Sequence, residues 1–270
     1  MHAEATHTVT LHTGTRMPSL GLGTWQLTGD DAVEGVLHAL EIGYRLIDTA
    51  DDYRNQPQIG EALRASGLDR DEVFVTSKVE EDEDSYAATE DRMEQLGVER
   101  LDLCLIHRSP PDGPGEELWR GLVRARDDGL TRGIGVSNYA SEQIDALIEA
   151  TGEAPAVNQV EWSPFGHSEE LLAHSREHGV VIQAYSPLTR GDRLEDETLA
   201  ELAERRGRTP AQVLLRWSMQ KGTPPVPKAA QPAHRAENFD VFDFTLGGDE
   251  MRKLDGLNEH HSSLSALPYV

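Results

Sequence analysis

With 270 residues and a formal net charge of −23, the chain is long enough to bury a large core. It is too acidic to take nucleic acid or an acidic membrane as its main partner. No window of about 18 apolar residues occurs, which argues against a membrane span. The first residues, MHAEATHTVTLHTG, show no basic stretch followed by an apolar one, so no secretory signal is read and a cytoplasmic protein is expected. Cys104 is the only cysteine. That excludes an internal disulfide, and inside an apolar run the residue reads as a small buried hydrophobe.

Acid is spread through EEDED (80–84), EDE (195–197) and many helix faces, while Lys78, Lys221, Lys228 and Lys253 are the only lysines among 25 basic residues. An acidic, lysine-poor surface stays hydrated where counter-ions screen its self-repulsion, so adaptation to concentrated salt is expected.

Residues 7–17 alternate about Gly14 and read as a hairpin outside the main pattern. LGLGTW (20–25) reads as a strand, with Asp30 capping a helix over 31–43. Strands then fall at 44–48, 73–78, 101–107, 133–138, 157–162 and 180–187. The helices between and after them fall at 57–66, 84–97, 116–128, from a Ser141 cap to about 150, at 168–178 and at 196–206. Thr209 followed by Pro210 starts a helix running to Gln220. TPPVPK (223–228) reads as the eighth strand, and 232–239 as a short helix. Regular strand–helix alternation of this length predicts one domain over 1–270, a (β/α)₈ barrel with the hairpin outside the repeat. LGLGTWQL lacks the third glycine of a dinucleotide-binding turn, which disfavours a doubly wound sheet.

Three apolar runs end in three ionisable side chains: Leu46 and Ile47 lead to Asp48, Val73–Val75 to Lys78, and LDLCLI to His107. Strand C-termini of such a barrel converge on one mouth. The reading places Trp25, Asp48, Tyr53, Lys78, His107, Ser137, Asn138, Gln159, Tyr185, Ser186 and Lys228 there. A tyrosine with an ordinary pKa of about 10 suits acid–base work poorly until an ammonium favours its phenolate. A buried ammonium in turn needs a carboxylate. Asp48, Lys78 and Tyr53 can supply that chain, and His107 a hydrogen bond to a polarised oxygen. Each residue alone has a plainer reading as a cap, an interface tyrosine or a core histidine; four together at successive strand ends do not. The eleven histidines are not read as a ligand set, and His260 and His261 fall in a polar tail, so no metal is expected.

MPSLGLGTWQ, YRLIDTADDYRNQ, VFVTSKV, LDLCLIHRSP, RGIGVSNY, NQVEWSPF, AYSPLTRG and PPVPKAA followed by RAEN resemble the aldo-keto reductases almost end to end. The resemblance implies the same barrel with the hairpin closing its bottom, and NAD(P)H-dependent reduction of aldehydes or ketones. It implies a tetrad of Asp48, Tyr53, Lys78 and His107, with Tyr53 as general acid. Ser137, Asn138 and Gln159 would hold the nicotinamide carboxamide, Tyr185 would stack on the ring, and Ser186 and Leu188 would line the pyrophosphate path. Lys228, His234, Arg235, Glu237 and Asn238 would serve the adenosine end. Trp25 and Trp162 would wall the substrate pocket. Ala229 and His234 stand where NADPH-selective members carry serine and arginine, so NADPH with relaxed use of NADH is expected. The segment after Leu257 is short, and it leaves the carbonyl substrate unnamed. A monomer is expected. The alternative, a nicotinamide-binding regulatory or sensor protein on the same barrel, has no use for the tyrosine–lysine pair.

Overall fold

A computed structural model describes residues 7–264 and 267–269. The first six residues of the leader reading lie outside it, as do positions 265, 266 and 270 of the C-terminal segment. Strands β1 (Thr8–Thr10) and β2 (Arg16–Pro18) form the hairpin, paired antiparallel with Val9 opposite Met17. Gly14, with φ of 85°, makes the turn in a left-handed conformation that other residues adopt at a cost.

The barrel follows. β3 (Leu22–Gly23), α1 (Gly29–Ile42), β4 (Leu46–Asp48), α2 (Gln56–Ala65), β5 (Phe74–Val79) and α3 (Ser85–Leu96) make its first half. β6 (Leu101–Ile106), α4 (Glu116–Asp127), β7 (Thr131–Ser137), α5 (Ser141–Thr151), β8 (Val157–Glu161), α6 (Glu169–Glu177) and β9 (Val181–Tyr185) continue it. α7 (Glu197–Arg206), α8 (Pro210–Lys221), α9 (Pro232–Phe239) and α10 (Gly248–Asp255) complete the chain. β3 to β9 lie in one parallel sheet in sequence order, the arrangement expected of a (β/α)₈ barrel.

The eighth predicted strand does not form a ladder. Residues 223–228 make only isolated bridges, Gly23 to Lys228 and Ala184 to Pro225. Proline has no N–H to donate, and this stretch holds Pro224, Pro225 and Pro227. It therefore closes the barrel chiefly as an acceptor: Gly21 and Gly23 donate to the carbonyls of Pro225 and Pro227, both at 3.0 Å. The glycines are needed for the approach, since a Cβ on Gly23 would stand 2.6 Å from the Val226 carbonyl oxygen.

Side chains alternate between two cores. Leu46, Phe74, Leu103, Leu105, Val157 and Val226 cluster with Leu11 and Met17 of the hairpin segment, so the hairpin plugs the barrel bottom. Ile47, Val75, Val79, Cys104 and Ile106 pack among the helices' apolar residues. The period of two then fixes the functional rim. Counting in steps of two, Leu46 leads to Asp48, Phe74 to Lys78, Leu105 to His107, and Val157 to Gln159 and Glu161. These side chains share the barrel-interior side and stand progressively closer to the C-terminal ends.

Helix starts differ in detail from the sequence reading. Asp30 lies inside the first turn of α1, whose N-cap is Thr28, and Ser141 is the first residue of α5 after Ala140. Both still place polar residues where helix N–H groups lack partners. α10 was not expected, although Asp249 and Glu250 in its first turn and Arg252 and Lys253 in its last are the charge order a helix dipole favours. Thr209 does cap α8: its hydroxyl accepts from the Gln212 N–H at 3.2 Å, and the Gln212 side chain accepts from the Thr209 N–H at 3.0 Å. Thr209→Ala should cost about 1 kcal/mol and lower the melting temperature by roughly 2–4 °C; thermal unfolding followed by circular dichroism checks it.

Candidate active site

A cavity of about 1160 Å³ opens at the C-terminal rim, lined among others by Trp25, Asp48, Tyr53, His107, Asn138, Tyr185 and Lys228. Lys78 lies beneath it, wholly buried. Its ammonium donates to Asp48 Oδ1 and to the Thr49 carbonyl, both at 2.9 Å, and to the Tyr53 hydroxyl at 3.4 Å. Tyr53 ends a single 3₁₀ turn, Asp51–Tyr53, directly after β4. Asn55 fixes that connection: its amide donates to the carbonyls of Thr24 and Leu27, and its oxygen accepts from the Thr49 hydroxyl.

Burial pushes the Lys78 ammonium down, but Asp48 and Tyr53 outweigh it and hold the group above its ordinary value. Burial also pushes the Tyr53 phenol up; Lys78 pulls it back without reversing the shift, and the Asp48 charge adds to it. This departs from the expected lowering. Before any ligand enters, Tyr53 is held as the protonated acid.

His107 stands beside Tyr53 with ring centroids 6.1 Å apart, edge to face. Its Nδ1 meets Glu80 Oε1 at 2.7 Å. Burial pushes the Glu80 carboxyl up, but the His107 bond and charge, with Arg108 and Arg92 nearby, hold it below the usual range. Glu80 read in the sequence as one acid of a solvated run. The signal that identifies it is spacing: two residues beyond Lys78, it leaves the sheet on the same side as that lysine.

A second layer of amides holds Asp48 from the other side. Gln159 Nε2 donates to Asp48 Oδ2 and to Gln183 Oε1, both at 2.7 Å. Both N–H groups of Gln159 are thus engaged, and only its oxygen is left for a ligand. Gln183 was missed because, within VVIQAYSP, a lone amide in an apolar strand carries no motif. Ser137 donates to the Gln159 carbonyl, Asn138 donates to Ser137 Oγ and the His107 carbonyl, and the Tyr185 hydroxyl donates to Asn138 Oδ1 at 2.8 Å. Gln26, Asn138, Ser186 and Arg190 all have positive φ and all line the cavity. Such strain in non-glycine residues collects at ligand sites.

Ser137, Asn138, Gln159, Tyr185, Ser186, Leu188, Lys228 and His234 line the cavity as expected from their positions. Other expected residues stand outside that lining. Arg235 is 3 % exposed, and its guanidinium donates to the Ala229 and Ala230 carbonyls and to His38 Nδ1; it ties α9 to the rim. Glu237 and Asn238 lie on α9 outside the lining, Asn238 buried. Trp162 is fully buried and packs on His167 and Tyr269 instead of walling the pocket. The histidines also hold one ligand-like spacing: His174 and His178 are four apart on and just beyond α6, both within ion-pair reach of Asp145.

A parallel barrel with an ionisable cluster at its C-terminal rim defines a barrel enzyme. The sequence matches the model of the aldo/keto reductase family over residues 19–259, and the chain belongs to that family. It is accordingly an oxidoreductase of the NAD(P)H-using kind. An aldo-keto reductase of Mycolicibacterium vanbaalenii is 42% identical over 262 residues, 95% of this chain and 94% of that protein. The 2,5-diketo-D-gluconic acid reductase B of a Corynebacterium species is 42% identical over 256 residues, 93% of this chain and 92% of that one. Among solved structures, an aldo/keto reductase from Brucella melitensis has a TM-score of 0.89 at 37% identity, covering 94% of this chain and all of that one. A Bombyx mori aldo-keto reductase in complex with NADP has a TM-score of 0.90 at 33% identity, covering 97% and 96%.

The buried pair generates a stability test. Asp48→Asn leaves the Lys78 ammonium without its counter-charge and should cost about 3–5 kcal/mol, while adding Lys78→Met should recover part of that loss. Equal melting temperatures for the single and double variants at pH 7 would contradict it.

Proposed function

We propose that this chain, as one barrel domain, reduces aldehydes or ketones with hydride from a reduced nicotinamide cofactor, Tyr53 giving the proton. The observation that carries this is the buried Asp48–Lys78–Tyr53 chain opening into the cavity. When bound, the cofactor supplies the hydride; the protein's part is to place and protonate the carbonyl. Tyr53 delivers its proton to the carbonyl oxygen, and the ammonium of Lys78 compensates the phenolate left behind. Asp48 keeps Lys78 charged. Glu80 takes His107 Nδ1, so Nε2 is the nitrogen left for the substrate oxygen.

The lining suits a dinucleotide. The Gln159 oxygen can accept from a carboxamide N–H, Asn138 and Ser137 stand beside it, and the Tyr185 ring, fixed by its bond to Asn138, offers a stacking face. Ser186 and Leu188 follow on the next loop. Arg190 is held over the Trp25 ring at 4.8 Å, which spans the mouth between two loops. With Arg235 committed to backbone carbonyls, Lys228 and the His234 side chain are the groups of that stretch left in the lining for a 2′-phosphate, which supports NADPH with substantial use of NADH. Trp25 walls the substrate side. The NADP complex of the Bombyx mori relative supports the cofactor class, and the Corynebacterium enzyme named for a diketo acid supports a small carbonyl substrate. A Schiff-base role for Lys78 is disfavoured, because the group is wholly buried and held protonated.

No helix among the described residues is long and apolar enough to cross a membrane. We read the protein as a cytoplasmic monomer adapted to salt, from its charge of −23 and its scarcity of lysine.

The deciding assay follows reduced-nicotinamide absorbance with 4-nitrobenzaldehyde, using NADPH and NADH separately, in molar KCl and in dilute buffer. Tyr53→Phe should lose about 10²–10⁴-fold in rate; retention of full activity would sink the mechanism. Because the Tyr53 phenol lies above its ordinary value, the acid is present through neutrality. Reduction should therefore hold level there and decline only as pH rises beyond about 10. Equal folding and activity in both buffers would remove the salt reading.

A further inference from the structure

The outer face of the barrel carries a group of side chains that the proton-transfer site does not use. HSREH (174–178) places two histidines four residues apart at the end of α6. His178 is the C-cap of that helix, and its N–H still donates to the His174 carbonyl at 3.3 Å, so the two rings share one face. Their centroids are 4.7 Å apart. Asp145 of α5 turns one carboxylate oxygen to both: Oδ1 lies 2.7 Å from His174 Nε2 and 3.4 Å from His178 Nε2. Three donor atoms from two helices thus lie within 4.8 Å of one another.

These separations decide what the group can hold. Bonds of about 2.0–2.2 Å to imidazole nitrogen and carboxylate oxygen, at a tetrahedral angle, put neighbouring donors roughly 3.3–3.5 Å apart. The His178–Asp145 pair already stands at that separation, and the His174–Asp145 pair needs to open by less than about 1 Å. Asp145 and His178 are exposed and free to make that adjustment. His174 Nδ1 is buried without a hydrogen-bond partner, which leaves Nε2 as the nitrogen turned outward. Arg176, between the histidines, is engaged elsewhere, its guanidinium donating to the Lys221 carbonyl. His167, Glu169 and Asp255 make a comparable cluster, but there the Lys221 ammonium pairs with both acids and already supplies the cation.

We propose that Asp145, His174 and His178 form a binding site for a divalent transition-metal ion such as zinc, with water completing its shell, and that the ion clasps α5 to α6. Two imidazoles and one carboxylate favour zinc, copper or nickel over magnesium or calcium, which take oxygen donors. The chain's charge of −23 adds a field that draws a dication. The end of α6 leads into β9, so the site stands toward the barrel's N-terminal face, and none of its three residues lines the cavity. An ion held there stabilises the fold without touching the reacting groups, and the site is independent of the reductase reading.

The test uses the full chain, stripped with EDTA and desalted, titrated with zinc chloride by calorimetry in a non-chelating buffer. Thermal unfolding is followed in parallel by circular dichroism. One zinc per chain should bind with a micromolar dissociation constant. At about a hundred times that constant the melting temperature should rise by roughly 5 °C. Excess EDTA should reverse the rise, and magnesium chloride should cause none. His178→Ala and Asp145→Asn, each compared with its own metal-free protein, should weaken binding at least about tenfold and lose most of the rise. Replacing both tail histidines, His260→Ala with His261→Ala, should change neither readout. No binding, or binding only above about 1 mM, overturns the site. So does a rise that survives His178→Ala or is lost with the tail histidines. Loss with His178→Ala but not with Asp145→Asn leaves a histidine pair on α6 alone and overturns the clasp.

Discussion

An ammonium with no exposed surface is the most demanding group in this molecule. Lys78 is tolerable only because Asp48 faces it and two oxygens, from Thr49 and Tyr53, complete its shell. That requirement constrains the neighbours. Asp48 must end β4 on the interior side, β5 must carry Lys78 one layer higher, and the turn after β4 must bring Tyr53 back over the pair. A slip of one residue in either strand would send the charge among the helices instead.

The pair is also the midpoint of a longer chain of polar contacts. From Tyr53 it runs through Lys78 and Asp48 to Gln159, then Gln183, whose amide reaches Met17 Sδ at 3.6 Å in the hairpin plug. The rim is therefore tied to the floor of the barrel by hydrogen-bonded side chains that share one interior. A second network, Tyr185 to Asn138 to Ser137 and the His107 carbonyl, holds the opposite wall. Both are complete before a ligand arrives, so little reorganisation is left for binding to drive.

The barrel was legible because its strands are short apolar runs at regular intervals, and Asp48, Lys78 and His107 because each run ends abruptly in charge. What escaped were features set by packing across the sequence. Arg235 has the composition of a phosphate ligand, but its guanidinium is taken up by the carbonyls of Ala229 and Ala230. Trp162 follows an interior residue, Glu161, and so turns to the outer side of its strand, a consequence of parity that a motif match does not weigh. Glu80 was hidden by its company in an acidic run. The eighth strand failed for the opposite reason: its prolines are visible in TPPVPK, and residues without an N–H cannot extend a ladder.

Those prolines give the barrel a seam. Between β9 and β3, Pro224, Pro225 and Pro227 can receive hydrogen bonds but return none, and Val226 alone of the four donates, to the Ala184 carbonyl. The cylinder is consequently directional in its stiffness, regular around six of its junctions and loosely stitched at the last. Lys228, with His234 a turn into α9, stands directly beyond that seam. The rim beside Lys228 is thus the part the ladder constrains least, while Lys78 lies in β5 and His107 follows β6, two strands that pair over a longer register.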